Sequence, residues 1–436
     1  MTQKKSGTFR VLTMVCILIF IIFAVFLANR IINRTPLSSD LLFQENQKEG
    51  GSAFFILGDY FNEAFAKELA AILLGFSPEC NNYFICTENI KKGLQSWMSK
   101  EGMQNINFLT TEISSHMMKT WARDIVICGA NNQGLAVVVS PTITSDPISR
   151  ANQNMAMLKQ LFPAGTKIVR APFVFEGGNL VFLMSRGKKV LLVGKKILFD
   201  NAEYQRRYQA SNRTTIELLD EIQRFFSADS IIVVGKTSIL PPSEAYFESQ
   251  LEMGMAVLRG SKAVVAQFSY GEKEKAELKK AVFNHDFAIE SLYPADRDRN
   301  EVFGILDERL KKTKEEFDYY AILLEDLGLH VFRSPMQWKH VASWMSWTAV
   351  LQVGTRIFMP IYPESLSTAT EMLEQTGSAL RKSLKLKPLS SEKFELTGYN
   401  LQNYDLYKGF GYEIVPVPEY LHYFQGNIHS FVNIMD

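Results

Sequence analysis

The chain has 436 residues, 47% of them hydrophobic and 21% charged, a composition that excludes the disordered and fibrous classes and allows one large domain or two to three ordinary ones. Its formal charge of +1 conceals an asymmetry: residues 1–36 hold five Lys/Arg and no acid, leaving 42 basic against 46 acidic residues in the remainder. With no net positive field, no Cys/His spacing of the zinc type and no basic tract interleaved with aromatics, the body excludes nucleic acid as a partner.

The first element is the most apolar. Residues 11–28, VLTMVCILIFIIFAVFLA, carry one clearly polar side chain, Thr13. As a helix they reach about 27 Å, close to the hydrocarbon thickness of a bilayer. Lys4, Lys5 and Arg10 precede the run, and Arg30 and Arg34 follow it. That bias keeps residues 1–10 as a cytoplasmic tail and sends the body across, as in a single-pass membrane protein. A cleaved signal peptide ending near Ala28 is the alternative and implies secretion. Residues 29–51 form a linker that closes on Gly50-Gly51, and residues 52–436 form one body. Beyond the membrane an oxidising compartment would allow Cys80 and Cys86 to pair, with two free thiols the equal alternative. Asn33-Arg34-Thr35 and Asn212-Arg213-Thr214 fit the glycosylation pattern.

The body alternates short apolar runs with amphipathic stretches. Strands are predicted at Phe54–Leu57, Ala136–Val139, Lys167–Val169, Asn179–Leu183, Val190–Val193 and Ile231–Val234. Helices are predicted at Asn62–Phe76, Met155–Phe162, Thr215–Phe226, Glu272–Phe283, Lys311–Leu327 and Thr368–Lys385. Two hairpins follow from their turns: Leu251–Leu258 with Ala263–Phe268 around Arg259-Gly260, and Ala349–Val353 with Arg356–Ile361 around Gly354-Thr355. Gly328 stops a helix before the strand Leu329–Phe332, and Glu413–Val417 is a late strand. The pattern is mixed α/β, with strands often paired before a helix. Hairpin-plus-helix units recurring at irregular spacing point to an array of like units. No phosphate-binding glycine loop and no Gly-x-Ser-x-Gly elbow is present, which removes the nucleotide-binding and α/β-hydrolase readings.

Four segments combine charge, glycine and apolar context. In Thr120–Asp124, Trp121 and the following Ile125–Cys128 imply that Asp124 is at least partly buried. In Val174–Leu183, Glu176 precedes Gly177-Gly178-Asn179 between two apolar runs, so its carboxylate is read as facing inward. In Glu248–Leu258, a strand would place Gln250 and Glu252 on one face, opposite Leu251. In the terminal segment, His429 and Ser430 are neighbours whose side chains diverge on an extended backbone, which argues against a Ser–His catalytic pair.

Together these segments resemble the guanidino-group-modifying superfamily, most nearly the agmatine deiminases. Trp121-Ala-Arg-Asp124, Glu176-Gly-Gly-Asn179, Gln250-Leu-Glu252 and Gly426-Asn-Ile-His-Ser430 stand in the order of the family's Trp-x-Arg-Asp, Glu-Gly-Gly-Asn, His-x-Asp and Gly-Asn-Ile-His-Cys. The resemblance implies a pentein fold, a five-bladed αβ-propeller of pseudo-fivefold hairpin-plus-helix units. It also implies hydrolysis of a guanidinium C–N bond by a thiolate, with no cofactor and no metal. By motif, Asp124 and Glu252 would hold the cation, Glu176 would orient the group at position 250, and Trp121 and Asn179 would complete the binding set.

Two positions depart from that pattern. Ser430 stands at the nucleophile and Gln250 at the proton shuttle. A hydroxyl ionises far above a thiol and needs an adjacent base, which Gln250 is not. Losing general acid–base help alone lowers a rate by about 10²–10⁴. Phe424-Gln425 crowd the position where glycines usually precede the terminal Gly-Asn, and Thr348 lies where the family tends to have Asn. The expectation is a catalytically impaired protein that retains guanidinium or amine binding, or an interaction role towards an Arg side chain. The alternative is an active hydrolase or amidinotransferase that uses Ser430 or a histidine base from His116, His422 or His429.

Overall fold

The computed structural model describes residues 52–56, 82–100, 106–110, 126–131, 134–140, 166–208, 213–235, 251–284, 296–340, 343–362, 398–418 and 432–435, with isolated positions at 152–162, 293 and 396. Its strands are β1 (Ser52–Ile56), β2 (Asn82–Cys86), β3 (Ile106–Thr110), β4 (Val126–Asn131), β5 (Gly134–Val139), β6 (Lys167–Arg170), β7 (Leu180–Ser185), β8 (Lys188–Gly194), β9 (Ser230–Val234), β10 (Met255–Leu258), β11 (Lys262–Phe268), β12 (His330–His340), β13 (Ser343–Met345), β14 (Leu351–Val353), β15 (Arg356–Ile361), β16 (Glu413–Pro418) and β17 (Val432–Met435). The helices are α1 (Glu88–Lys100), α2 (Lys196–Tyr208), α3 (Thr215–Phe225), α4 (Glu272–Phe283), α5 (Arg299–Asp326) and α6 (Gly398–Gly409).

The described strands make five sheets, ordered β17-β1-β2-β3, β4-β5-β6, β7-β8-β9, β10-β11-β12-β13 and β14-β15-β16. One plan recurs. An antiparallel pair is followed by a long connection, and the chain returns as a strand parallel to the second member. The plan reads β4/β5 then β6, β7/β8 then β9, β10/β11 then β12, and β14/β15 then β16. Parallel return needs a crossover, which is why α2 and α3 stand before β9, and α4 and α5 before β12. The remaining sheet is completed across the chain ends: β17 pairs antiparallel with β1, Ser52 opposite Met435, and β1 pairs parallel with β2.

Central strands are covered on both faces and therefore read as unbroken apolar runs. Val190–Gly194, Ala263–Ala266 and Ile357–Ile361 are buried at every position. The hairpin turns follow their glycines: Arg186-Gly187 and Gly260-Ser261 all take positive φ. Around the β7–β8 hairpin, Phe173, Phe175, Phe225 and Phe226 form an aromatic cluster beneath α3. A second core lies under α4 and α5, with Leu306, Leu310, Phe317, Tyr320 and Leu324 at the three- and four-residue spacing of one helix face.

Several expectations need correction. The helix predicted from Lys311 begins at Arg299, twelve residues earlier, because Val302, Leu306 and Leu310 extend the same buried stripe beneath a charged exterior. Leu251 does not open a strand. Residues Leu251–Met253 form a 3₁₀ turn closed by Gly254 N–H donating to the Leu251 carbonyl at 2.9 Å, and β10 starts only at Met255. Glu252 is therefore not on a strand face beside Gln250. Asn179 likewise ends a 3₁₀ turn, Gly177–Asn179, rather than starting β7. Cys86 is a buried free thiol, which burial pushes up to about 11, while Cys80 lies outside the described residues. Helices α1, α2 and α6 and strands β2 and β3 were not anticipated. The predicted helices Asn62–Phe76 and Thr368–Lys385 lie outside the described residues, as does the apolar run 11–28. Among the described residues no helix is long and apolar enough to cross a membrane.

Candidate functional site

Two short 3₁₀ turns, Gly177–Asn179 before β7 and Leu251–Met253 before β10, pack against each other. They carry three of the predicted site residues: Glu176, Asn179 and Glu252. The contact is set at Gly178, where a Cβ would lie 2.8 Å from the Glu252 carboxyl carbon and 3.0 and 3.1 Å from its two oxygens. The Glu252 carboxylate thus rests on bare backbone, and its residue is 3% exposed. Only glycine permits this approach. Gly178 and Glu252, 74 residues apart in the chain, thus meet in space.

Asn179 completes the turn. Its side chain is fully buried, and neither amide atom has a hydrogen-bond partner among the described residues. It lies over the end of β8, where a Cβ on Gly194 would come within 2.6 Å of Asn179 Oδ1. Register explains the meeting, since Leu180 stands opposite Val193 across the hairpin.

The segment leading to Glu176 is pinned by side chains that act as a substitute strand. Ser140 Oγ donates to the Phe175 carbonyl at 2.6 Å and accepts from Phe175 N–H at 2.9 Å. Asn201, on α2, accepts from Val174 N–H at 2.9 Å and donates to the Val174 carbonyl at 2.7 Å. Both side chains are buried, and they satisfy backbone groups that no sheet reaches. On the other side, Ser346 Oγ donates to the Met253 carbonyl at 2.6 Å. Thr348 Oγ1 lies 2.8 Å from the Met253 carbonyl and 3.2 Å from the Glu252 carbonyl. Tyr362 Oη donates to the Ser346 carbonyl at 2.7 Å, which holds this clamp in turn. Thr348 therefore serves to fix the turn that carries Glu252.

Glu176 is engaged. Lys196, the first residue of α2, places Nζ 3.1 Å from Glu176 Oε2 and 2.6 Å from Asp200 Oδ2. All three side chains are largely covered. Burial alone would lower the Lys196 pKa; the charges and hydrogen bonds of Glu176 and Asp200 outweigh it, and the net direction is upward. The ammonium is thus retained at neutral pH, between Glu176 and Asp200.

Glu176, Asn179 and Glu252 are therefore brought together, while Trp121, Asp124, Gln250 and Ser430 lie outside the described residues, as do His116, His422 and His429. Sequence reading missed Ser140, Lys196, Asp200, Asn201 and Ser346. The Lys196/Asp200 spacing of four was a usable signal for a helix-face ion pair; nothing in the sequence marked Ser140 or Asn201. Among the described residues no three His, Cys, Asp or Glu side chains converge to hold a metal ion. The arrangement sets carboxylates, which can pair with a planar cation and its N–H groups, beside buried glycine backbone.

No protein-family model matches the chain, and no curated protein matches it by sequence. Solved structures do match in fold. A provisionally named agmatine deiminase superposes with a TM-score of 0.58 at 14% identity, covering 92% of this chain and 98% of its own. The C. jejuni agmatine deiminase gives 0.51 at 13% identity, covering 89% and 95%. The agmatine deiminase of Enterococcus faecalis gives 0.52 at 11% identity, covering 91% and 96%. The chain has the mixed α/β fold of these agmatine deiminases.

Proposed function

We propose that this chain, built on the agmatine deiminase fold, is a membrane-tethered guanidinium- or amine-binding protein whose ordinary deiminase chemistry is impaired. In this reading the five sheets stand as the blades of a pseudo-fivefold propeller around a central acidic hollow. Residues 11–28 anchor it with the N-terminus cytoplasmic and the body beyond the membrane. Asp124 and Glu252 hold the planar cation, Trp121 and Asn179 complete the wall, and the terminal segment brings Ser430 to the nucleophile position. Binding survives because it needs carboxylates in place, which the Glu252–Gly178 contact supplies; that contact is the observation that carries the proposal. Bond breaking does not survive, because Ser430 has no base at position 250 to take its proton.

The test uses the purified full chain with agmatine, arginine and a peptidyl-arginine. Calorimetry is expected to show binding of at least one, with no ammonia or urea released. Restoring both departures, Gln250→His with Ser430→Cys, is expected to raise guanidine hydrolysis above the parent and to allow covalent labelling by a haloacetamidine. Turnover by the parent chain at family-like rates overturns the impairment; absence of any binding overturns the site.

A further inference from the structure

Helix α6 reaches the Glu252 turn through a chain of hydrogen bonds. Asn400, in its first turn, uses both ends of its carboxamide. Oδ1 accepts from the Trp347 indole N–H at 3.0 Å and from Tyr362 N–H at 3.2 Å, and Nδ2 donates to the Tyr362 carbonyl at 3.2 Å. Trp347 and Tyr362 meet edge to face, with ring centroids 4.9 Å apart. Tyr362 Oη then accepts from Ser346 N–H at 3.2 Å and donates to the Ser346 carbonyl at 2.7 Å. Tyr407, further along α6, donates its hydroxyl to the Trp347 carbonyl at 2.7 Å. The backbone of Ser346 and Trp347 is therefore held from the side of α6. Towards the site, Ser346 Oγ and Thr348 Oγ1 reach the Met253 carbonyl at 2.6 and 2.8 Å.

We propose that Asn400 is a positioning residue for Glu252: it fixes Trp347 and Tyr362, these fix Ser346 and Thr348, and those fix the backbone of the turn Leu251–Met253. A carboxamide suits the task because it accepts two hydrogen bonds and donates at the same time. Ser346, Trp347, Thr348 and Tyr362 are all buried, so a link that loses its partner leaves a polar group out of easy reach of water. The effect is felt at the far end of the chain of bonds. A turn free to shift carries the Glu252 carboxylate away from the Gly178 backbone on which it rests.

The effect on binding rests on the guanidinium-binding reading, whereas the hold on the turn is measured without a ligand. Two readouts are taken on the full chain. One is deuterium exchange of the Gly254 amide, whose bond to the Leu251 carbonyl closes the turn; the other is calorimetric titration with agmatine. Asn400→Ala is expected to speed Gly254 exchange and to weaken agmatine binding, each about tenfold, the equivalent of one hydrogen bond. Asn403→Ala is the control. Asn403 is buried on the same helix but bonds to Ser334, Pro335 and Tyr399. Its loss is expected to lower the unfolding midpoint while leaving both readouts within about twofold of the parent. If Asn400→Ala fails to fold, Tyr362→Phe, which removes only the hydroxyl that holds Ser346, gives the same readouts. Equal effects of the two alanine variants, or none from Asn400→Ala, overturn the inference. Faster exchange with unchanged affinity, in a parent that binds agmatine, also overturns it, since the turn then moves without moving the ligand. If the parent binds no agmatine and Gly254 exchange still quickens in Asn400→Ala alone, the hold on the turn stands and the guanidinium-binding reading fails.

Discussion

At the residue scale, two glycines in neighbouring turns are tightly packed for different reasons, and the difference is measurable. At Gly178 the obstacle to a Cβ is the end of a side chain, the Glu252 carboxylate. At Gly254 it is ring carbon, Tyr320 at 2.7 Å and Phe317 at 2.8 Å, and both rings belong to the buried core under α5. A carboxylate can swing aside; two packed rings cannot without opening the core. Gly254→Ala is therefore expected to destabilise the fold by about 1–3 kcal/mol, the range for overpacking. Gly178→Ala is expected to lower stability less and to lose agmatine binding, because it displaces Glu252. Urea unfolding and calorimetry on the two variants check this; equal loss of stability in both would mean that Glu252 is as immobile as the rings. Glu176 and Asn179 stood out in the sequence because a carboxylate beside paired glycines inside an apolar run has few structural uses. Lys196 was not legible, since a lysine at a helix start looks solvated until the fold returns Glu176 to it.

At the element scale, apolar central strands announced themselves while polar clamps did not. Val190–Val193, Ala263–Phe268 and Arg356–Ile361 were found within a few residues because burial on both faces leaves an unbroken apolar run. The turn at Leu251–Met253 was misread as strand because its apolar flanks match period two, and only Gly254 against α5 decides otherwise. Helix α2 was missed because its charged residues mask the three that are buried, Ile197, Asn201 and Tyr204. Asn201 matters most of these. It donates to two carbonyls, Val174 at 2.7 Å and Ile197 at 2.7 Å, and accepts from Val174 N–H. Asn201→Ala leaves the buried Val174 amide and carbonyl without those partners, and about 3 kcal/mol of stability is expected to be lost. The midpoint of urea unfolding measures it. Between α4 and α5, Asp307 accepts from Tyr270 Oη at 2.7 Å and pairs with Lys311 at 2.7 Å. Burial raises its pKa, but the Lys311 and Tyr270 hydrogen bonds and the two lysine charges outweigh burial, and the net direction is downward. A carboxyl lowered on folding contributes stability above its unfolded value and loses it as pH falls through the folded one. Unfolding midpoints measured from neutral to acid pH are expected to fall in that window. Asp307→Asn is expected to start lower at neutral pH and to show a shallower fall.

At the scale of the whole molecule, the recurring plan was visible as hairpin-plus-helix units, but its closure was not. No pattern in the sequence says that Val432–Met435 pairs with Ser52–Ile56; a short apolar end segment fits many edges, and only the register of Ser52 opposite Met435 selects this one. That pairing spans almost the whole length of the described chain. Its loop-closure entropy is therefore met late in folding, after nearer contacts have formed. It also covers one side of β1, whose other side is taken by β2. Deleting residues 432–436 leaves β1 as an open edge with unpaired backbone groups, the geometry that templates association between chains. The truncated chain is expected to keep most of its helical circular dichroism, because α2 to α6 lie in units that do not use β17. It is expected to lose the high-temperature part of its melting transition and to elute as oligomers. Because none of the other four sheets uses β17 as a strand partner, the unfolding rate should rise far more than the folding rate falls. Stopped-flow unfolding and refolding of the full and truncated chains separate the two. A folding rate that drops as steeply as the unfolding rate rises would place the β1–β17 closure at the start of assembly instead of its end.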